Sequence, residues 1–240
     1  MRGSQQPALR TRPLASDGAL VVAGVEFAAD SAGALYWPEQ RLLVVADLHL
    51  EKGSAFATRG VLLPPYDTAA TLGRLALLMV CYAPRVVVAL GDSFHDGRGA
   101  ARLADTDRAS LHGLQRGRDW IWIAGNHDPE PAIGVGGQFL NTFSSGPITF
   151  RHEPVAQSRG VIAGHLHPVA RVSRRGRAVS RRCFAGDGDR LVMPAFGAYA
   201  GGLNVRDRAF AEVFETLAFT AHMLGERRIY AVAAKHCLPD

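Results

Sequence analysis

The 240-residue sequence is poor in the features that define several protein classes. Its three cysteines, Cys81, Cys183 and Cys237, are odd in number, far apart, and form no Cys-x-x-Cys pair. That pattern argues against a disulfide framework and a thiolate zinc site, and fits reduced thiols in a cytoplasmic protein. Long hydrophobic runs are missing too. The longest, near residues 75–82, falls far short of the roughly 20 apolar residues that span a bilayer, so no membrane partner is expected. Arg2, Arg10 and Arg12 sit near the start, but no apolar stretch with a small-residue cleavage site follows, which argues against a secretory signal. Lysine is almost absent: of 27 basic residues only Lys52 and Lys235 are lysine, and the rest are arginine. A formal net charge of +5 and a pI near 9.5 permit an anionic partner such as nucleic acid. They do not require one, because a coding bias toward arginine leaves the same mark.

What is present suits a globular chain. With 48% hydrophobic and 20% charged residues, it can bury a full core, and its length fits one domain. Residues 1–17 are polar, aperiodic and proline-containing, and read as a flexible N-terminal tail before a single domain over residues 18–240. β-like runs occur at Ala19–Phe27 and Ala34–Trp37, with a hairpin turn at Ser31-Ala32-Gly33. Continuous apolar runs at Arg41–Ala46, Arg85–Leu90 and Trp120–Ala124 predict strands buried on both faces. Between them, helices are predicted over Tyr66–Tyr82, after Pro64-Pro65, and over Leu103–Gln115. Further strands are expected at Pro147–His152, Val161–Ala163, Ala178–Phe184, Arg190–Pro194 and Ile229–Ala233. Strand, polar tip, helix, strand is the order of a layered α/β protein.

The chemistry lies at the strand ends. Five of them end in metal-capable groups: Asp47 and His49, Asp92, Asn126 and His127, His152, and His165 and His167. Ligands gather at the carboxyl ends of strands in open α/β sheets, so these groups can converge. Each residue alone reads more plainly as a turn or capping residue. Together, a set of oxygen and imidazole donors without thiolate suits Mn²⁺, Fe or Zn. Seven ligand candidates exceed what one ion needs, whereas two ions about 3.5–4 Å apart, bridged by the carboxylate of Asp92, would use them all. Such a pair polarises a bridging hydroxide and clamps a phosphoryl oxygen, the equipment for hydrolysing phosphate esters.

The segments Asp47-Leu48-His49, Gly91-Asp92, Gly125-Asn126-His127-Asp128, His152 and Gly164-His165-Leu166-His167, in that order over about residues 41–170, resemble the calcineurin-like metallophosphoesterases. The resemblance implies a sandwich of two mixed β-sheets flanked by helices, with a dinuclear metal site at the strand ends. It implies Asp47, His49, Asp92 and His167 as ligands of one ion, and Asp92, Asn126, His152 and His165 as ligands of the other. His127 would contact the phosphate and protonate the leaving oxygen, with Asp128 orienting its imidazole. One departure stands out: where many members carry an acid three residues after the bridging Asp, this chain has His95, followed by Asp96. That weakens a protein Ser/Thr phosphatase reading and leaves His95 either facing substrate or in a plain loop. The segments at residues 47–53, 63–68, 194–199 and 201–204 further resemble the bacterial DNA-ligase-associated metallophosphoesterases. That subgroup implies a phosphodiesterase with DNA endonuclease activity on single-stranded or damaged DNA. It further implies two divalent ions, Mn²⁺ first with Fe, Zn or Mg as alternatives, and a DNA repair setting beside a ligase and a helicase. The alternative is a phosphatase or cyclic-nucleotide phosphodiesterase acting on small phosphate esters. Lys52 could reach a phosphate or lie exposed at a helix start. The cluster Arg171, Arg174, Arg175, Arg177, Arg181 and Arg182 reads as a hairpin that is either a solvated charged face or a contact to a phosphate backbone.

Overall fold

A computed structural model describes residues 18–240; the tail expected over residues 1–17 lies outside the described residues. Two sheets are stacked on each other. The first runs in sequence order through β1 (Ala19–Val22), β2 (Val25–Ala29), β3 (Leu35–Trp37), β4 (Leu42–Val45), β5 (Val86–Leu90), β6 (Asp119–Ile123) and β7 (Gln138–Leu140). It is antiparallel as far as β4 and parallel from β4 to β7. The second holds β8 (Thr142–Ser145), β9 (Ile148–Arg151), β10 (Val161–Ala163), β11 (Pro168–Arg174), β12 (Arg177–Gly186), β13 (Arg190–Val192), β14 (Leu203–Asn204), β15 (Thr220–Leu224) and β16 (Ile229–Ala233). Around β10 it is parallel, to both β9 and β13. Among the described residues the sheets are flanked by α-helices α1 (Lys52–Ala57), α2 (Asp67–Tyr82), α3 (Gly99–Arg102), α4 (Asp105–Gln115) and α5 (Arg208–Phe214).

Period-2 alternation explains the continuous apolar runs. In β4, Leu42 and Val44 join a core between the sheets with Phe27, Trp37, Ile123, Phe150, Ile162 and Phe184. Leu43 and Val45 point the other way, into a core with Leu72, Leu75, Leu78 and Met79 of α2 and Leu111 of α4. A third core covers the outer side of the second sheet with Phe210, Val213 and Phe214 of α5. The result is an α/β/β/α sandwich, as the sequence predicts. One expected strand, Ala19–Phe27, is in fact a hairpin: Ala23 and Gly24 adopt φ of 49° and 83° and turn the chain between β1 and β2.

Candidate metal centre

The parallel strands deliver their carboxyl ends to one edge. Past β4 and β5 the two chains stay paired, with His49 N donating to Asp92 O and Leu50 N to Ser93 O, both at 2.9 Å. Regular extension already puts residues two apart, such as Asp47 and His49, on one face. Asp47, His49 and Glu51 all take left-handed backbone (φ 52°, 42° and 64°), so the chain leaves regular extension where the donors gather. His165 and His167 repeat the device at φ 71° and 47°. Several such residues so close together store strain that the surroundings must over-determine. Part of that support is close packing. A Cβ on Gly125 would overlap the Asp92 backbone and carboxylate, and one on Gly164 would meet Asp47 Oδ2 at 2.6 Å.

All seven ligand candidates come together, in two groups. In the first, His167 Nε2 lies 3.3 Å from both His49 Nε2 and Asp47 Oδ1. In the second, His152 Nε2 lies 2.8 Å from Asn126 Oδ1 and 3.2 Å from His165 Nδ1, which is itself 2.9 Å from Asn126 Oδ1. Asp92 sits between them, with Oδ1 3.4 Å from His152 and Oδ2 3.9 Å from His49. Backbone partners fix the donors: His152 Nδ1 donates to Leu90 O at 2.8 Å, leaving the Nε2 lone pair facing inward. The amide of His165 donates to both oxygens of Asp47 at 3.1 Å.

The electrostatics call for cations. Asp47 and Asp92 are 0% and 2% exposed, and their only ion-pair partners among the described residues are imidazoles. Among the imidazoles of the site, His49 and His165 resist protonation. Burial, then the neighbouring His167, His127 and His95, pushes His49 down to about 2. Burial and His152 likewise lower His165. A buried carboxylate such as Asp92 beside a neutral His49 lacks full compensation of its charge, which costs several kcal/mol unless a metal ion supplies the counter-charge. The donor set therefore fits divalent ions. No thiol approaches: Cys183 and Cys237 are in the third core and Cys81 is exposed.

His127 lies at the open side of the groups, its side chain 41% exposed, with Nε2 3.9 Å from Asp92 Oδ2. The structure corrects how it is oriented. Its Nδ1 donates to the backbone carbonyl of His95 at 2.9 Å, while Asp128 accepts from the Phe94 amide at 3.0 Å. Burial, with Asp92 nearby, pushes the Asp128 carboxyl up to about 6. Asp128 thus braces the loop after Asp92 rather than the imidazole. The His95 ring stacks on His127, centroids 5.3 Å apart, and Phe56 packs beside it at 5.5 Å.

Lys52 is turned to structure: its Nζ donates to Tyr199 O at 3.0 Å. The six-arginine cluster does form a hairpin, β11 with β12. Arg182 points inward and holds the carbonyls of Ala195 and Ala200, both at 2.9 Å. Arg171 holds Pro239 O. Arg174, Arg175 and Arg177 are exposed at the tip, and at about 3.3 Å per strand residue the tip lies roughly 25 Å along the chain from His167.

Residue spacing gave no sign of the braces around the site. The 194–204 segment grips both ends of the first group: Phe196 N donates to Ala46 O, Gly197 N to Asp47 O and Leu203 N to His167 O. Arg74 stacks on the Phe196 ring at 4.7 Å and donates to its carbonyl. A polar cavity of about 180 Å³, lined by Asn126, Asn141, Arg151, His152 and Glu153 among others, opens beside the second group. The one available signal was the pair of short motifs at residues 47–53 and 194–199, which the fold packs together.

A two-sheet α/β sandwich with paired carboxylate–imidazole groups at its strand ends is the framework of a metal-dependent hydrolase. The chain belongs to the calcineurin-like phosphoesterase family, whose model matches residues 40–180, and is accordingly a phosphoric ester hydrolase. Among solved structures it is similar to the nuclease MPE of Pseudomonas putida, with 26% identity and a TM-score of 0.68, covering 89% of this chain and 98% of that one. A second match is Yfce, a phosphoesterase from E. coli, with 14% identity and a TM-score of 0.41, covering 80% of this chain and 98% of that one. The search of curated proteins found no match. Among the described residues no helix is long and apolar enough to cross a membrane.

Proposed function

We propose that residues 18–240 act as one domain that hydrolyses phosphodiesters, with DNA as substrate and DNA repair as setting, in a cytoplasmic protein of the ligase-associated subgroup. The observation that carries this is the arrangement of the two donor groups about Asp92, with His127 at their open side. The likeness to a Pseudomonas putida nuclease supports the choice of nucleic acid, and the basic balance is compatible with it.

Asp47, His49, Asp92 and His167 would hold one divalent ion, and Asp92, Asn126, His152 and His165 the other. When bound, such a pair supplies Lewis-acid stabilisation of the phosphoryl oxygens and a water nucleophile at neutral pH. Mn²⁺ best matches the mixed oxygen and imidazole donors, with Fe, Zn or Mg as competitors. The remaining work belongs to His127. With Nδ1–H bound to the His95 carbonyl, Nε2 is the atom free to deliver a proton to the departing oxygen. A DNA ligase and a helicase are the proposed partners, on the resemblance of the segments at residues 47–53, 63–68, 194–199 and 201–204 alone.

The test is a panel of metals against substrates. With Mn²⁺ the protein should cleave bis-p-nitrophenyl phosphate and single-stranded DNA. Failure on both would refute the proposal. Faster turnover of mononucleotides or cyclic nucleotides than of DNA would replace it with a small-ester phosphatase or phosphodiesterase.

A further inference from the structure

An imidazole that gives up a proton from Nε2 needs its Nδ1–H held by a fixed acceptor. A side-chain carboxylate brings its own charge to that task. A backbone carbonyl is only as well placed as its loop, so the segment carrying the His95 carbonyl matters. One side of that loop is tied by backbone: Phe94 N donates to Asp128, and His95 N to Leu50 O at 2.9 Å. On the other side Asp96 accepts from Arg98 N at 2.8 Å and Gly99 N at 2.9 Å, and its carboxylate is held further by a side chain. Arg102, on α3, forks onto both oxygens of Asp96 at 3.0 and 2.9 Å, the charge-assisted, two-point geometry that leaves least freedom. Arg102 Nε also donates to Ser54 Oγ at 2.9 Å. Ser54 in turn donates to Glu51 Oε2 at 2.6 Å, and Thr68 to Glu51 Oε1 at 2.9 Å. Glu51, 8% exposed, stands two residues after His49. The hydrogen bonds thus run without a break from the segment bearing His49 to the residue next to His95.

We infer that Arg102 is a positioning residue: through Asp96 it fixes the His95 carbonyl, and through that carbonyl the tautomer and ring orientation of His127. This rests on the reading of His127 as proton donor, and it explains how the site works without the acid that many relatives carry at position 95. Glu51 and Ser54 anchor Arg102 from behind, which gives the 51–54 part of the subgroup motif a role apart from metal binding.

Two readouts test it in the full chain. In protein loaded with a diamagnetic divalent ion, NMR should show a slowly exchanging His127 Nδ1–H, which Arg102→Met should abolish. A DNA sugar alkoxide needs a proton to leave, whereas p-nitrophenolate departs as the anion. General acids contribute about 10²–10⁴-fold, so misplacing this one should lower the DNA to bis-p-nitrophenyl phosphate rate ratio by at least about tenfold. Arg102→Lys should recover part of both effects. Should the Met variant fold poorly, Asp96→Asn, which removes the carboxylate end of the fork, should give the same two changes. Either readout unchanged in a folded variant overturns the inference. A wild-type protein that cleaves neither substrate instead refutes the phosphodiesterase reading, and the NMR signal still decides whether Arg102 holds His127.

Discussion

Acidifying the metal-stripped protein should expose the strained electrostatics of the centre. His49, 6% exposed, is held neutral by burial and by three neighbouring imidazoles, well below its ordinary value of 6.5. Unfolded chains take up that proton as pH falls through 6.5, while the folded protein does not. The unfolded state then binds more protons, so stability is full above pH 6.5 and declines below it. Each pH unit costs about 1.4 kcal/mol for one such group, so His49 alone should remove about 2 kcal/mol between pH 6.5 and 5. The folded value does not enter this figure, because it lies far below the range. Asp128 opposes the loss: its carboxyl is raised to about 6, so below pH 6 the folded state gains a proton first and is favoured by acid. His165, also lowered by burial and His152, adds to the loss, so the total slope mixes several groups and His49 must be isolated by difference. Urea denaturation of wild type and His49→Gln at several values between pH 7 and 5 does so. The wild-type curve should fall away from the variant by about 2 kcal/mol across the range. Parallel curves would refute the reasoning, because they would mean that the folded state protonates His49 freely.

Other outcomes follow from the same geometry. His127→Ala should lower DNA cleavage by about 10²-fold or more while metal content is unchanged, read by single-turnover kinetics beside elemental analysis. Gly125→Ala should abolish metal binding, because its Cβ would displace the Asp92 backbone and carboxylate; calorimetric titration with Mn²⁺ would show it. Arg182→Ala should impair the first donor group by freeing the 195–200 carbonyls, seen as weaker metal affinity with little change in salt dependence. Neutralising Arg174, Arg175 and Arg177 together reads the exposed hairpin tip: if it contacts DNA, the salt slope of single-strand binding should flatten by about 0.7 per lost phosphate contact. An unchanged slope would make the arginine excess a matter of composition.

The layered fold, and the convergence of the seven candidate donors at one edge, were legible because each depends on local pattern. Arg41–Ala46 announces a strand buried on both faces, and the short motifs at its end and at the ends of its neighbours carry the donors. What escaped depended on contacts distant in sequence. α1 and α5 are short and lack a long periodic stripe, β15 alternates over only five residues, and the turn within Ala19–Phe27 lacks a strong turn pair. Likewise the partner of His127 Nδ1 is a main-chain carbonyl, which no residue type encodes. Asp128 had the right chemistry to orient that ring, yet the fold spends it on the Phe94 amide. For Lys52 and Arg182 the sequence left open a phosphate contact or plain exposure, and the 194–204 segment claims both instead.

The most direct test is to reload metal-stripped protein with Mn²⁺ in steps while following cleavage of single-stranded DNA and bound metal together. Two ions per chain should be needed for full activity, and Asp92→Ala, which removes the carboxylate between the two donor groups, should bind fewer and cleave neither DNA nor bis-p-nitrophenyl phosphate. Full activity at one ion per chain, or in the Asp92→Ala variant, would contradict the account.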